Sequence, residues 1–364
     1  MANDDVVLEI SGREMTITHP GKVFFPARND TKLDLVNFYV SIGDALMLQM
    51  RDRPVLLQRF PNGSAGSNFF QKRVPDSAPE WLTTTIVSTP NGTESRALVI
   101  ADLAHFVWAV NLGCLGFHSW PIRAARPEVT DELRIDLDPG PGTTFSMAQE
   151  TAGVLHDLFD ELGISSFIKT TGNRGLHVYV RLLPFWDSLA VRAAAVAIAR
   201  ELERRRPDLI TAAWWKEERG ERIFIDFNQN APHKTVFAPW SVRARDHAPV
   251  SCPFVWSDLD AIDPNQLTIA TVPQRLNASG DPWATIDDSP NSLQPLLDMV
   301  ARDQASGLLD APWPPVYPKM AGEPPRVAPS RAKKNKPTIH AHEPSGSSAP
   351  DPGQTTHKTE PPTG

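Results

Sequence analysis

The stretch Arg134-Ile135-Asp136-Leu137-Asp138-Pro139-Gly140 alternates apolar and charged side chains. A period of two is typical of a β-strand, so Ile135 and Leu137 are expected on one face and both aspartates on the other. Two ionised carboxylates on one face repel each other unless solvent screens them or a divalent cation lies between them. The stretch therefore predicts a strand that ends either at a solvated Asp-Pro-Gly turn or at a metal site.

A second acidic strand is predicted further along the chain. In segment 222–228, Ile223, Ile225 and Phe227 share one face, which leaves Asp226 on the other. Together with Asp136 and Asp138, this residue could hold two oxygen-seeking cations ~3.5 to 4 Å apart. Such a site serves phosphoryl or nucleotidyl transfer, and the residues alone leave open a polymerase or a nuclease.

Between the two acidic strands lies a polar turn, Lys169-Thr-Thr-Gly-Asn-Arg-Gly-Leu-His177. Its backbone N–H groups could cradle a triphosphate, but a plain hairpin turn accounts for the same pattern. Alternation in the following strand places His177 on the face opposite the apolar side chains. There the imidazole could meet a phosphate, or it could be a structural histidine.

The pattern around these strands predicts an α+β core. A capping box opens a helix over residues 31–50, a second helix is capped at Ser146, and a third runs over 188–206. Residues 1–310 are expected to form one domain. Residues 311–364 are expected to be a Pro-rich, disordered tail.

Composition limits the class of protein. The chain has 364 residues, 41% hydrophobic and 22% charged, as globular proteins do. Its formal net charge of -7 means that any nucleic-acid-binding surface must be a local patch. Cys114 and Cys252 lack the spacing of a zinc site. No secretory signal or membrane-length apolar run is evident, which predicts a cytoplasmic protein with no membrane partner.

Taken together, the motifs resemble the polymerase domain of bacterial ligase D, a member of the archaeo-eukaryotic primase superfamily. That superfamily is marked by an Asp-hydrophobic-Asp strand, a later strand with His and a hydrophobic-Asp strand, which occur here in that order. The resemblance spans roughly residues 10–305 and implies a primase-polymerase core with mixed or antiparallel central sheets flanked by helices. The segments closest to the ligase D type are Thr18-His-Pro-Gly-Lys22, Arg53-Pro-Val, Asn68-Phe-Phe-Gln-Lys72, Phe117-His118-Ser-Trp, Ala238-Pro-Trp-Ser-Val-Arg243-Ala-Arg245 and Gly280-Asp-Pro-Trp.

The resemblance implies that Asp136, Asp138 and Asp226 are catalytic and ligate two Mn²⁺ or Mg²⁺ ions. It also implies that Phe69 and Phe70 stack on the DNA template, although two core aromatics are the alternative. The residues implied to surround the incoming nucleotide are His118, Thr171, Arg174, His177, Ser241, Arg243 and Arg245.

A pocket for a DNA 5′-phosphate is implied at His19, Lys22 and Lys32. Without the resemblance, both lysines would be ordinary surface residues. The chain departs from the usual ligase D pattern at Thr171 and Arg174, where Ser and Lys are common, and at His19, where Asn is frequent. An arginine keeps the charge but offers a planar fork in place of a point ammonium.

The implied function is template-dependent addition of nucleotides, from NTP or dNTP, at short gaps or broken DNA ends in end joining or gap filling. A preference for ribonucleotides is implied as well. Because no ligase domain fits in the tail, the expected partners are a separate DNA ligase and a Ku-type end-binding protein, in a bacterial, nucleoid-associated setting. A two-metal nuclease and a non-catalytic DNA-end binding module that recruits a ligase remain as alternatives.

Overall fold

The structure, a computed structural model, describes residues 4–326. The strands are β1 Val6–Ile10, β2 Arg13–Ile17, β3 Val23–Phe25, β4 Asp30–Thr31, β5 Pro54–Arg59, β6 Phe69–Gln71, β7 Thr84–Ser88, β8 Glu94–Val99, β9 Cys114–Ser119, β10 Thr130–Pro139, β11 Phe167–Thr170, β12 Leu176–Trp186, β13 Ile210–Thr211, β14 Ile223–Ile225, β15 Val236–Phe237 and β16 Pro253–Phe254. The α-helices are α1 Lys32–Ser41, α2 Gly43–Met50, α3 Leu103–Asn111, α4 Phe145–Glu161, α5 Ser188–Arg205, α6 Lys216–Arg219, α7 Val272–Ser279 and α8 Gln294–Ala305.

Two six-stranded sheets carry several of the candidate functional residues. Sheet I has the order β13-β14-β10-β12-β11-β16, and sheet II has the order β15-β9-β5-β8-β7 with β6 paired to β5. Neighbouring strands in both sheets are antiparallel except β13 and β14, which are parallel. Helices α4 and α5 pack against β10 of sheet I. The predicted α+β class, with mixed and antiparallel sheets flanked by helices, is confirmed.

The helix predicted over residues 31–50 is two helices. Its capping box is confirmed, because the Thr31 N–H donates to the Asp34 carboxylate at 2.7 Å and the Asp34 N–H donates to Thr31 Oγ1 at 3.2 Å. The chain leaves the helical conformation at Ile42 and re-enters it at Gly43. The apolar period continues across the break because both helices bury residues in the same core.

The cap predicted at Ser146 is wrong. Helix α4 begins two residues earlier, and its N-cap is Thr144, whose Oγ1 accepts the Met147 N–H at 3.3 Å. Both residues are good N-cap types, so composition alone does not decide between them. The predicted end is confirmed at Gly163, which has a φ of 65°.

Residues 311–326 are part of the folded unit. Trp313 and Tyr317 are 4% and 7% exposed and pack with Ala231. The Tyr317 hydroxyl also donates to the Pro232 carbonyl at 2.5 Å. The expectation that the disordered tail begins at residue 311 is therefore wrong. The other residues of the expected tail, 327–364, lie outside the described residues.

A buried ion network joins the two sheets. Arg53, just before β5, is 1% exposed and donates to the two carboxylate oxygens of Asp131 at 2.7 and 2.9 Å. It also lies 2.7 Å from Glu132, which in turn accepts from Arg181 at 2.6 Å and from Arg134 at 2.8 Å. The network fixes the first half of β10, the strand whose second half carries Asp136 and Asp138.

Candidate active site

The register of sheet I places titratable residues from three strands in one row. Asp136 of β10 lies opposite His177 of β12, and Lys169 of β11 lies opposite the same histidine. The fourth member is Asp226, whose backbone N–H donates to the Asp136 carbonyl at 3.0 Å. His177 Nε2 is 3.3 Å from Asp136 Oδ1. The polar face predicted from the alternation in β10 is thus the face on which this row lies.

The conformation predicted around Asp226 is wrong. Strand β14 ends at Ile225, and residues Phe227–Asn230 form a 3-10 helix with Asp226 as its N-cap. One carboxylate oxygen of Asp226 accepts the Asn228 N–H at 3.1 Å, and the other accepts the Gln229 side-chain amide at 2.8 Å. The alternation misled because Phe227 is buried in the turn just as it would be in a strand.

The three aspartates are poorly compensated as ions. Burial raises the pKa of Asp136 to about 6, and Lys169 and Arg243 only partly oppose it. Burial and the nearby Asp136 raise the pKa of Asp226 to about 6, and the same two causes raise the pKa of Asp138. Desolvated carboxylates that lack matching positive charge are the oxygen donors that a divalent cation stabilises.

Donor chemistry therefore fits Mn²⁺ or Mg²⁺. Within residues 4–326, however, no three His, Cys, Asp or Glu side chains already stand together as a metal-ligand cluster. Asp138 is exposed near the end of β10, whereas Asp136 and Asp226 are half-buried. The assignment of two ions to these aspartates thus remains a prediction.

His177 is buried and His118 is half-buried, and the pKa of each imidazole is lowered. Burial lowers the pKa of His118 to about 3, and burial with Lys169 and Arg243 nearby places the pKa of His177 well below its usual value. Among the described residues, His118 Nε2 and His177 Nδ1 are buried atoms without a hydrogen-bond partner. A neutral imidazole has one donor and one acceptor nitrogen, so the unpartnered nitrogen of each ring could make one hydrogen bond to a bound ligand.

The polar turn is the hairpin between β11 and β12, and it bonds to a second loop. Arg243 Nε donates to the Thr171 carbonyl at 2.9 Å, and its guanidinium lies 3.5 Å from the Phe237 ring centroid. Burial lowers the pKa of Arg243 to about 10. Gly175 is required here, because a Cβ at that position would lie 2.5 Å from the Leu137 carbonyl oxygen of β10.

The other residues predicted for the nucleotide differ in placement. Arg174 and Arg245 are exposed at the rim, with Arg174 close enough to stabilise the Asp138 ion. Thr171 Oγ1 accepts the N–H groups of Asn173 and Gly175, both at 3.2 Å, so it shapes the turn. Ser241 is fully buried, and its hydroxyl accepts the Phe117 N–H at 2.9 Å. Its hydroxyl is thus used inside the protein.

The aromatic pair predicted for the template is exposed. Phe69 and Phe70 lie on β6 and are 47% and 56% exposed, so the alternative of two core aromatics is wrong. The Arg59 guanidinium lies 5.1 Å from the Phe69 ring centroid, and the Phe70 ring lies 5.5 Å from the His118 ring. His118 in turn contacts the Phe237 ring at 5.2 Å.

The residues predicted for a 5′-phosphate form a basic corner, defined here as His19, Lys22 and Lys32. Backbone hydrogen bonds link them, from Lys22 to His19 at 3.0 Å and from Lys32 to Lys22 at 2.8 Å. The view of Lys32 as an ordinary surface residue is wrong, because it is 5% exposed and its ammonium donates to the Thr18 carbonyl at 2.5 Å. Burial and the nearby Lys22 lower the pKa of Lys32 to about 8.

Sequence reasoning gave no role to three residues that border the carboxylates. Lys169 is fully buried, and its ammonium donates to Ser251 Oγ at 2.5 Å in the loop that carries Arg243. Arg219 of α6 helps stabilise the ions of both Asp138 and Asp226, and Gln229 donates to Asp226. Strand register would have found Lys169, but the other two lie in segments without a periodic signal.

Known proteins resemble this chain over the region that contains the acidic row. A family model described as "LigD, primase-polymerase domain" matches residues 31–283. A multifunctional non-homologous end joining protein LigD from Mycolicibacterium smegmatis is 32% identical over 75% of this chain and 36% of its own length. The corresponding Pseudomonas aeruginosa protein is 34% identical over 74% of this chain and 32% of its own length. The chain thus spans about a third of these relatives.

A solved structure has a similar fold. The polymerase domain from Mycobacterium tuberculosis ligase D, in complex with DNA, has a TM-score of 0.71 and 31% sequence identity to this chain. The match covers 76% of this chain and 99% of that one. In the part of this chain that the structure describes, none of the helices has the length and apolar character needed to cross a membrane.

Proposed function

The chain belongs to the LigD primase-polymerase domain family, and on that basis we propose that it is a template-dependent nucleotidyltransferase acting at short gaps or broken ends of DNA. The primer 3′-hydroxyl attacks the α-phosphate of a nucleoside triphosphate, the bond to the β-phosphate breaks, and pyrophosphate leaves. The setting is non-homologous end joining, as the names of the relatives suggest.

One observation carries this proposal: contacts run without interruption from the exposed aromatic pair to the acidic row. Phe70 contacts His118 at 5.5 Å, His118 contacts Phe237 at 5.2 Å, and Arg243 stacks on Phe237 at 3.5 Å. Arg243 then bonds to the Thr171 carbonyl beside the row. A base stacked on Phe70 and a triphosphate at Arg243 would therefore lie side by side, as a templating base and its incoming nucleotide must.

The metal ions would be held by Asp136, Asp138 and Asp226. When bound, Mn²⁺ or Mg²⁺ supplies charge that favours the attacking 3′-oxygen and the leaving pyrophosphate. The protein's part is to place the carboxylates, which the β10–β12 register does for Asp136 and the 3-10 helix does for Asp226. Burial makes these carboxylates costly as ions, which favours cation binding.

The nucleotide pocket combines charge with neutral donors. Arg243, with Arg174 and Arg245 at the rim, provides positive charge for the triphosphate, and an arginine fork suits phosphate oxygens. The lowered pKa values of His118 and His177 favour neutral imidazoles, which can orient the ligand through single hydrogen bonds. A preference for ribonucleotides is part of the proposal, and it rests on the family alone.

The DNA partner has a 5′-phosphate that binds at the basic corner. A protonated Lys32 beside Lys22 gives two ammonium groups, with His19 on the same turn. A separate DNA ligase and a Ku-type protein, together with a nucleoid setting, are proposed as the wider context. These partners follow from the relatives' role in end joining and not from a surface of this chain.

The test is extension of a labelled primer across a short 5′-phosphorylated gap with Mn²⁺ and single nucleotides. Wild type should add the template-matched nucleotide, and Asp138→Ala should lose about hundredfold or more, because several kcal/mol of charge stabilisation depend on the metal site. Asp157→Ala, an exposed aspartate of α4, is the matched control and should behave as wild type. Ribo- and deoxyribonucleotides compared on one template test the sugar preference.

The same assay separates the two alternatives. Shortened products that depend on Asp138 would support a two-metal nuclease. Tight gap binding without addition, equal in wild type and Asp138→Ala, would support a recruitment module. Either result would refute the polymerase proposal.

A further inference from the structure

A C-terminal segment beyond the matched family region lies against the turn that holds Asp226. We define this strap as residues 308–326, whereas the family model matches residues 31–283. Arg200 of α5 donates to the Leu309 carbonyl at 2.5 Å, and the Tyr317 hydroxyl donates to the Pro232 carbonyl at 2.5 Å. Within the strap, the Glu323 carboxylate accepts the N–H groups of Trp313 at 2.9 Å and Met320 at 3.1 Å.

Arg192 of α5 joins the strap to the protein interior. Its guanidinium is buried and donates to Asp310 Oδ1 at 2.9 Å and to the Ala311 carbonyl at 2.9 Å. It also lies 3.8 Å from the Trp313 ring centroid. The remaining guanidinium nitrogen, Nε, donates to the side-chain oxygen of Asn228 at 2.8 Å. A buried guanidinium with this many partners has a fixed position, since its planar fork satisfies all of them in one orientation.

Asn228 connects this arrangement to Asp226. Its side-chain amide donates to the Pro312 carbonyl at 3.0 Å, while its backbone N–H donates to Asp226 Oδ1 at 3.1 Å. On the other side of the turn, Asn230 exchanges two hydrogen bonds with the backbone of Arg134 in β10, at 2.9 and 2.7 Å. The 3-10 helix is therefore held to β10 by one asparagine and to the strap by the other.

We propose that Arg192 and the strap are a positioning device for the Asp226 carboxylate. A four-residue 3-10 helix has poor internal hydrogen bonding and depends on its surroundings for its orientation. If Arg192 or Asn228 is changed, the turn keeps the hydrogen bonds of Asn230 to β10. It loses hydrogen bonds that join Asn228 to Arg192 or to the strap. This inference rests on the proposed function, since it assumes that Asp226 is a metal ligand.

The experiment compares full-length variants with wild type. Arg192→Lys keeps a positive charge near Trp313 but loses the fork, and Asn228→Ala removes the amide while it leaves the backbone bond to Asp226. The matched controls are Arg200→Gln and Tyr317→Phe, which each remove a strap contact that does not lead to Asp226. Thermal unfolding establishes whether each variant is folded. If Arg192→Lys does not fold, Asn228→Ala alone tests the inference.

Two readouts are used. Mn²⁺ binding is titrated without substrate by the electron paramagnetic resonance signal of the free ion, and primer extension gives kcat and the nucleotide KM. In the two test variants we expect the Mn²⁺ affinity and kcat to fall by about tenfold or more, the usual cost of losing a group that orients a metal ligand. The nucleotide KM should change by less than about twofold, because Arg243 and the histidines are untouched.

The outcomes separate the two proposals. Mn²⁺ affinity that is unchanged in both folded test variants, or lowered equally in the controls, overturns the positioning role. A wild type that binds no Mn²⁺ overturns it as well. If wild type and controls bind Mn²⁺ and the test variants bind it weakly, the positioning role is supported. This holds even if wild type extends no primer, and in that case only the proposed function fails.

Discussion

Replacement of Arg53 by Met should destabilise the protein far more than loss of a surface ion pair. Arg53 is 1% exposed and contacts both carboxylates of the network, Asp131 and Glu132, at 2.7 Å. It also donates to the Gln49 carbonyl at 3.0 Å. The methionine would fill much of the volume but would leave two buried acids with less positive charge.

The magnitude follows from the geometry. Removing one partner of a buried, hydrogen-bonded ion pair costs about 3–5 kcal/mol, because the remaining charge stays desolvated. With an unfolding entropy of about 2.1 cal/mol/K per residue, a unit of this size should lose roughly 4–7 °C in Tm. Arg96→Met, which removes a pair in which Arg96 and Asp76 are 44% and 98% exposed, should change the free energy of unfolding by less than about 1 kcal/mol.

The pH dependence provides a second, independent check. Burial alone would raise the pKa of Glu132, but Arg53, Arg134 and Arg181 outweigh it and hold the pKa at about 2. The pKa of Asp131 is likewise held below its usual value against burial by Arg53 and Arg181. A carboxylate whose pKa is lower in the folded state stabilises the protein above its unfolded pKa, and this contribution is lost as the pH falls towards the folded pKa.

The assay is therefore thermal unfolding of both variants and wild type from pH 7 to pH 3. The difference in Tm between wild type and Arg53→Met should be largest near pH 7 and should narrow as the pH falls below about 4.5 towards 2. If Arg53→Met lowers the Tm only as much as Arg96→Met does, or if its Tm difference from wild type does not depend on pH, the reasoning is refuted. Buried arginines would then not stabilise β10 by compensating the charge of its acids.

Three further predictions concern DNA. Phe70→Ala should weaken single-strand template binding by about 1–3 kcal/mol, measured by fluorescence anisotropy, while Phe185→Ala, an exposed aromatic at 74%, should not. Lys22→Ala should weaken binding to 5′-phosphorylated gaps selectively, and an equal loss on 5′-hydroxyl gaps would contradict the phosphate role. Because the pKa of Lys32 is lowered to about 8, its charge is present below that pH and lost above it, so the preference for 5′-phosphorylated gaps should decline between pH 7 and pH 9.

The central part of sheet I could be predicted from the sequence because its signals are local. The alternation in β10 and the capping box of α1 depend on residues within a few positions of each other, and both are present in the structure. Exposure of Phe69 and Phe70 was also foreseeable, since Asn68 and Gln71 flank them.

Other features depend on long-range contacts that no local pattern encodes. Asp226 is the N-cap of a 3-10 helix that is held in place by residues far along the chain, because Asn230 accepts the Arg134 N–H and Asn228 donates to the Pro312 carbonyl. Lys32 is buried because the Asn111 carbonyl, far along the chain, accepts its ammonium at 3.0 Å. Residues 311–326 look like the start of a Pro-rich tail, yet they are folded because Arg192 of α5 offers donors to their backbone.

The two halves of β10 carry two pairs of acids whose charges are compensated differently. Asp131 and Glu132 have lowered pKa values because arginines surround them, whereas Asp136 and Asp138, on the same strand, have raised pKa values because burial is not matched by cations. Folding alone would favour equal neutralisation of all four carboxylates, since an uncompensated buried charge is costly. The excess negative charge is confined to the end of the strand that faces His177, Arg243 and Asp226, where a bound cation would neutralise it. This difference in charge compensation, which no sequence pattern reveals, supports the proposal that the second pair is catalytic.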